Sequence, residues 1–257
     1  IEKLKAQISK DSRIVSPRDD VASSSISEDF KSNIGSLMQV NQKNIPAGKS
    51  ILTAAKQSTD IVYQKLKELR QIAEESQNLD DGDPATAEKR IALQKDFESA
   101  RDDLDDFAET SEFAGVKLID GSLNVRIQTG FKANDTFNIS LNSLRIDKSP
   151  VAQVSVSSQA DAEKAIAYID EEFQKLDAQY SAINRQQSSL DIRSKANDSL
   201  IKNYEESRNA LVKLDKPAAY AALFAAEEQG YAQAEQLEQA LNFQAKLFSL
   251  LLGNNKN

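Results

Sequence analysis

The chain has 257 residues, of which 40% are hydrophobic and 28% charged, a composition that is typical of a folded protein and not of a disordered tail. Its formal net charge of −8 excludes binding to a nucleic-acid backbone through a general positive field. It contains neither cysteine nor histidine, which excludes disulfides, thiolate nucleophiles and the commonest general base and metal ligand. We therefore expect no cofactor and no bound metal.

Apolar residues recur every three or four positions over three N-terminal segments, which predicts helices at 21–45, 50–78 and 85–109. Because proline costs about 3 kcal/mol in a helix interior, Pro46 is expected to produce a kink or a helix start between the first two helices. Asp83 should cap the third helix, with Pro84 in its first position. The short loop before it predicts that the second and third helices lie antiparallel.

The apolar period changes to two after residue 120, which predicts a β-hairpin at 123–141. Val125 and Ile127 alternate with polar residues on one side of a turn region, and Phe137 and Ile139 do so on the other side. Residues 146–158 are rich in serine and valine and are predicted to be a connector.

A long helix is predicted over 159–215, because every step along its apolar seam is three or four residues. This coiled-coil pattern contains a polar stretch from Gln187 to Asn197, which can set register at some cost in stability. The seam consists of Ala162, Ile166, Ile169, Phe173, Leu176, Tyr180, Ile183, Gln187, Leu190, Ser194, Asn197, Ile201, Tyr204, Arg208 and Leu211.

Pro217 ends that helix, and residues 216–257 form a final alanine-rich helix with a leucine-rich end. A lone helix of this kind would expose apolar surface to water, which usually marks a partner surface. The predicted interface residues are Leu223, Leu237, Leu241, Asn242, Phe248 and Leu251. The whole pattern predicts a mainly α fold, an elongated antiparallel helical bundle or coiled coil with one small β-hairpin.

Four segments of this sequence resemble the bacterial flagellin family. Residues 13–22, with Arg13, Ile14, Asp19 and Asp20, resemble the loop between the family's terminal arm and its rod domain. Residues 66–76 resemble the first long rod helix, and residues 240–252 resemble the helix that lines the filament core. The most specific match is 113–121, which resembles the family's segment before its hairpin and includes Phe113, Gly115, Val116, Lys117 and Leu118.

The resemblance implies a domain order. Residues 1–20 would be an arm remnant and connecting loop, 21–145 the N-terminal half of the rod domain, and 159–215 its long C-terminal helix. Residues 146–158 would replace the outer domains, and 216–257 would be the inner filament-core helix. The chain begins at Ile1 instead of Met, so we expect that part of the N-terminal arm is missing. Ala114 stands where the family usually has Asn, and Asp11 where it has Gly.

The resemblance also implies a function: a secreted, non-enzymatic structural subunit that self-assembles into the flagellar filament for motility. Implied partners are other flagellin subunits, the flagellar export chaperone, and the cap and junction proteins, with no nucleic acid and no membrane insertion. In flagellins that Toll-like receptor 5 recognises, the first rod helix carries an Arg at the position that aligns with Glu68. The innate-receptor-like surface of Glu68, Arg70 and Ile72 is therefore predicted to be a poor receptor ligand.

Several other interpretations compete with this one. Asp80–Asp83 could be a calcium loop, but the twelfth position lacks the closing Glu of an EF-hand. The acidic group around Leu104 could be a carboxylate hydrolase site, although a solvated helix face is the default interpretation. Further alternatives are the hook–filament junction protein of the flagellum and a secreted adhesive or carbohydrate-binding coiled-coil protein.

Overall fold

The computed structural model describes residues 1–253, with side chains through Ser249, and confirms a mainly α fold with a small β-hairpin. The helices are α1 (Glu2–Lys10), α2 (Val21–Gln39), α3 (Ile45–Gln77), α4 (Ala87–Thr110), α5 (Gln159–Val212) and α6 (Lys216–Gly253). The strands are β1 (Glu112–Phe113), β2 (Val116–Lys117), β3 (Asn124–Gln128) and β4 (Thr136–Ser140). Two compact units result: the central unit, residues 35–201, and the terminal unit, residues 1–34 with the chain from 202 onward.

The predicted gap between helices 21–45 and 50–78 is wrong, because α3 already begins at Ile45. The helix start expected at Pro46 is confirmed, since Pro46 lies in the first turn of α3. A π-helical segment, Val40–Asn44, follows α2 directly and leads into α3. The backbone N–H of Ile45 donates to the carbonyl of Val40, five residues earlier. A π-helical turn inserts one extra residue, and here it lets the helical path reach Pro46, which lacks an N–H and lies in the first turn of α3.

Helix α3 has a strict heptad pattern of burial over 32 residues. Every seventh residue from Ile45 to Ala73 is buried, and so is every seventh residue from Gly48 to Ser76. This is the a/d seam of a coiled coil. The seam faces the core of the central unit, which also contains the fully buried Phe97 and Leu104 of α4.

Helices α3 and α4 lie antiparallel, as predicted. Ser58 and Ser111 hydroxyls are 2.6 Å apart at one end of the pair, while Arg90 Nη1 donates to the Ser76 carbonyl at 3.1 Å near the other. Asp83 caps the chain as predicted, but it caps a 3₁₀ turn at Pro84–Thr86, so α4 begins only at Ala87.

The predicted hairpin forms from β3 and β4, which pair antiparallel with Ile127 opposite Phe137. It packs on α3 at Gly48, where a Cβ would lie 2.6 Å from Ile127 Cδ1. A second two-stranded sheet, formed by β1 and β2, was not predicted. Its turn, Ala114–Gly115, has φ angles of +52° and +78°, the left-handed pair of a tight hairpin turn.

Residues 146–158 are part of the core and not only a connector. Ile146, Val151 and Val156 are each buried, and Val151 lies in a 3₁₀ turn at Pro150–Ala152. Two polar residues of α5 bind this part of the chain: Gln179 exchanges hydrogen bonds with the Asn142 backbone, and Glu172 accepts one from Ser149. Polar groups of α5 therefore anchor the return of the chain from the hairpin.

The seam of α5 differs in part from the predicted one. The positions from Ala162 to Asn197 that recur every seven residues are all buried, as expected. The second row of predicted positions, Ile166, Phe173 and Tyr180, packs against the core but is only half-buried. The buried second row is Ala165, Glu172 and Gln179, where the hydrogen bonds described above compensate for the loss of hydration.

Candidate assembly interfaces

The predicted loop motif is built around Arg13 in the terminal unit. Arg13 Nη2 donates to Asp20 Oδ2 and to the Leu211 carbonyl, both at 3.0 Å, and its backbone N–H donates to the Val212 carbonyl at 2.8 Å. Ile14 is half-buried beside it. The motif therefore fixes the loop after α1 to the end of α5.

The two aspartates of this loop organise its backbone. Asp19 accepts hydrogen bonds from the N–H groups of Val15 and Ser16 and pairs with Lys3 at 2.7 Å. The Lys3 ammonium and these two N–H donors lower the pKa of Asp19 to about 2. Asp20 accepts from the Ser23 N–H at the start of α2, and this bond, with Ser23 Oγ and Arg13, lowers the pKa of Asp20 to about 2.

Helix α6 leaves most of its apolar side chains exposed in the described part of the chain. Helix α1 packs along its first half, with Lys5 Nζ 3.2 Å from Glu227 and Ile1 near Gly230. From Tyr231 to Ser249 every side chain is exposed. Among its described side chains only Ala219 is buried.

Four of the six predicted interface residues, Leu223, Leu237, Leu241 and Phe248, form a stripe along α6. Leu237 and Phe248 are 62% and 69% exposed, and Leu241 is also exposed, whereas Leu223 is half-buried. At about 100° per residue these four side chains project from one face of α6. Asn242 lies on the neighbouring face, and the side chain of Leu251 is outside those described.

In the predicted hairpin entry, 113–118, some side chains are exposed and others are buried. Phe113 is 42% exposed, while Leu118 is buried and its N–H donates to the Ser111 carbonyl at 3.1 Å. Val116 is half-buried, and Lys117 pairs with Glu112 across the β1–β2 turn. Gly115 supplies the positive φ that the turn requires.

The structure does not bring the three receptor-like residues together. Glu68 and Ile72 line a groove between α3 and α4 with a volume of about 450 Å³. Arg70 instead faces α5, where its Nε donates to Asp170 Oδ1 at 3.0 Å and its guanidinium also pairs with Glu74. The Asp170 hydrogen bond raises the pKa of Arg70.

The acidic segments form structural hydrogen bonds. Asp80 and Asp83 each accept a backbone N–H within their own loop, and Asp81 pairs with Arg90 and accepts the Gln159 N–H at the start of α5. In residues 1–253 no group of three or more carboxylates is placed to hold a metal ion. No helix in the described part of the chain is long and apolar enough to cross a membrane.

Asp105 forms hydrogen bonds that the sequence patterns did not predict. It was expected on a solvated acidic face, but it is half-buried and accepts from Arg145 Nη2 and from the Ile146 N–H, both at 2.9 Å. Arg145 also pairs with Glu109 at 3.0 Å. A helical period cannot reveal such a contact, because its partners lie some 40 residues away in an irregular segment.

Comparison with known proteins matches this chain to flagellins. Residues 1–124 match the family model of the bacterial flagellin N-terminal helical region. A flagellin from Aquifex aeolicus is 35% identical over 133 residues, which are 51% of this chain and 25% of that relative. A flagellin from Halalkalibacterium halodurans is 25% identical over 219 residues, 83% of this chain and 78% of that one. The chain spans half or less of the length of the first curated relatives that it matches.

Among solved structures, a protein from Vibrio parahaemolyticus that is described as flagellar hook-associated matches 76% of this chain and 100% of its own. The TM-score is 0.62 at 16% sequence identity, so the likeness shows a shared fold alone.

Proposed function

We propose that the chain is a bacterial flagellin, a structural subunit of the flagellar filament that serves motility outside the cell. The match of residues 1–124 to the flagellin N-terminal region and the flagellin relatives support this proposal. The observation that carries the proposal is the exposed apolar stripe of α6, in which Leu237, Leu241 and Phe248 find no partner in the described chain. An apolar stripe of this kind is stable in water only when another surface covers it. In the filament, copies of the same chain cover it.

The need to cover exposed apolar surface also accounts for assembly. The chain is exported unfolded, with a flagellar export chaperone as its partner before export and cap and junction proteins as its partners at the filament. The terminal segments become ordered when they pack on neighbouring subunits, because alone they bury too little apolar surface to offset chain entropy. A head-to-tail contact that does not close into a ring then propagates as a helical filament.

Substitutions on α6 test this proposal. Replacing Leu237, Leu241 and Phe248 with serine should abolish polymerisation of the full-length protein onto filament seeds, as measured by sedimentation and electron microscopy. The control is Ile91→Ser, which removes a 72% exposed apolar side chain from the central unit. Unchanged polymerisation of the triple variant would contradict the proposed interface, and a wild-type protein that stays monomeric on seeds would contradict the function.

The hook–filament junction protein is the second candidate, and the fold shared with a hook-associated protein is compatible with either function. A deletion strain separates the two functions. Loss of a filament subunit leaves bare hooks under the electron microscope, whereas loss of a junction protein releases flagellin into the medium. The flagellin relatives support the filament assignment.

The position of Glu68 on the exposed surface of α3 supports a weak interaction with Toll-like receptor 5, since charge reversal at a receptor contact weakens binding. Glu68→Arg should raise receptor signalling in a reporter cell line, while the exposed Glu163→Arg on α5 should not. Strong signalling by the wild-type protein at low concentration would refute this proposal.

A further inference from the structure

The central unit carries its charge asymmetrically. Residues 64–109, which form the end of α3 and most of α4, contain fourteen acidic and seven basic side chains. The segments that meet at the other end, 35–49, 124–140 and 183–201, together contain seven basic and three acidic side chains. One end of this unit is therefore negative and the other positive, although the whole chain has a net charge of −8.

The negative end contains a groove that we name the acidic groove. Its floor is the apolar surface of Ile72, Leu93 and Ala100, and its rim carries the carboxylates of Glu68, Glu75, Asp96 and Asp103. Glu75 pairs with Lys89, but in residues 1–253 the side chains of Glu68, Asp96 and Asp103 form no ion pair or hydrogen bond. The groove therefore presents uncompensated negative charge around an apolar strip.

The positive end contains a surface of matching character, the basic patch of Arg185, Ile192 and Lys195 on α5. These residues project opposite to the buried row of Ile183, Leu190 and Asn197 and face away from the core. Ile192 is 68% exposed. In the described chain, no salt bridge or hydrogen bond involves the charged groups of Arg185 and Lys195. An apolar side chain between two free cations complements an apolar strip between free carboxylates.

We infer that the acidic groove of one copy receives the basic patch of a second copy of this chain. Two copies with a net charge of −8 repel each other in most orientations, so an electrostatically attractive contact requires opposite poles to meet. In this contact Ile192 covers the groove floor, and Arg185 and Lys195 reach the rim carboxylates. The inference deepens the proposed function, because it rests on the chain forming a homopolymer.

The contact also defines a direction of growth. Along α3 the groove at Ile72 and the hairpin end at Gly48 are 24 residues apart, which is about 36 Å at 1.5 Å per residue. A contact between two different patches of the same molecule leaves one groove and one patch free in every dimer. Such a heterologous contact adds further copies in an open series unless its rotation closes a ring.

Charge reversal and recombination test the contact. The groove variant is Asp96→Lys/Asp103→Lys, and the patch variant is Arg185→Glu/Lys195→Glu. Each should raise the critical concentration for seeded polymerisation of the full-length protein by about tenfold or more, because it places like charges opposite each other. A chain with all four substitutions, or an equimolar mixture of the two variants, should recover polymerisation. The matched control for the groove variant is Glu163→Lys/Glu171→Lys, which makes the same charge change on exposed α5 positions outside the groove.

The outcomes separate this inference from the proposed function. Circular dichroism checks that every variant is folded, and the control should polymerise at the wild-type critical concentration. Normal polymerisation of both reversed variants, or no recovery when they are combined, would overturn the inference while the filament function stands. Failure of the wild-type chain itself to polymerise would overturn the proposed function. Raising NaCl from about 0.05 to 0.5 M should weaken wild-type assembly more than assembly of either reversed variant.

Discussion

Replacing Gly48 with alanine probes how closely the hairpin approaches α3. The added Cβ would lie 2.6 Å from Ile127 Cδ1, 3.1 Å from Ile139 Cδ1 and 3.4 Å from Leu190 Cδ1. The first distance is too short for real carbon atoms, so the hairpin or the Ile127 side chain must move. Gly35 in α2 is a matched control, because a Cβ there meets nothing within 4 Å.

The magnitude follows from two opposing effects. Alanine is favoured over glycine in a helix by about 1 kcal/mol, so Gly35→Ala should raise the free energy of unfolding by roughly that amount. At Gly48 the same gain is opposed by overpacking, which costs about 1–3 kcal/mol in a filled core. Gly48→Ala should therefore be about 1–3 kcal/mol less stable than Gly35→Ala.

The assay is denaturant unfolding followed by circular dichroism, with Ile127→Val as a second substitution. Valine lacks the Cδ1 atom that the new Cβ would meet. Ile127→Val alone should cost about 0.5–1.5 kcal/mol, but in the Gly48→Ala background it should cost less or stabilise the protein. Equal stabilisation by Gly35→Ala and Gly48→Ala, with no coupling to Ile127→Val, would refute this account of the packing.

Three further predictions concern other parts of the chain. Ala114→Asn should raise the free energy of unfolding by about 0.5–1 kcal/mol, because asparagine tolerates the left-handed φ of +52° better than alanine; no change in the denaturation midpoint would contradict this. The hydrogen bond from the Ser23 N–H lowers the pKa of Asp20 to about 2, so the stabilising effect of Asp20 is present above pH 4 and is lost as the pH falls toward 2. The difference in unfolding free energy between wild type and Asp20→Asn should therefore shrink over that range. A constant difference would contradict this prediction. Gln179→Leu should destabilise the protein by about 1–3 kcal/mol, because it leaves the Asn142 backbone groups unsatisfied, whereas the exposed Gln174→Leu should be nearly neutral in the same denaturation experiment.

Local patterns predicted most of the secondary structure because each pattern has one dominant geometric cause. The period of two predicted the β3–β4 hairpin, and the three-four period predicted α3, α4 and α5. Pro46 marked the start of α3 correctly, but the gap predicted beside it is absent, because the cost of proline applies to a regular helix interior and the π-helical turn at Val40–Asn44 relieves that cost. The β1–β2 turn was missed because its strands have only two residues each, which is too short for an alternating pattern.

The polar residues of the α5 seam show where periodicity fails for a physical reason. A pattern search places apolar residues inside, so it selected Phe173 and Tyr180 over their neighbours Glu172 and Gln179. The neighbours are buried because they satisfy backbone and hydroxyl groups of the returning chain at Asn142 and Ser149. Those partners are 37 and 23 residues away in sequence, so no local window contains the information.

A comparison of α3 with α6 shows the same limit of periodicity for the candidate interface. Both have apolar stripes at helical spacing, yet the a/d seam of α3 is buried by its own chain, and the stripe with Leu237 and Leu241 is exposed. Periodicity predicts that a stripe must be covered but not which molecule covers it. The central unit supplies α3 with α4, α5 and the hairpin, whereas beyond Gly230 the described chain supplies α6 with no neighbour. Under the proposed function, a second subunit of the homopolymer supplies the surface that covers this stripe.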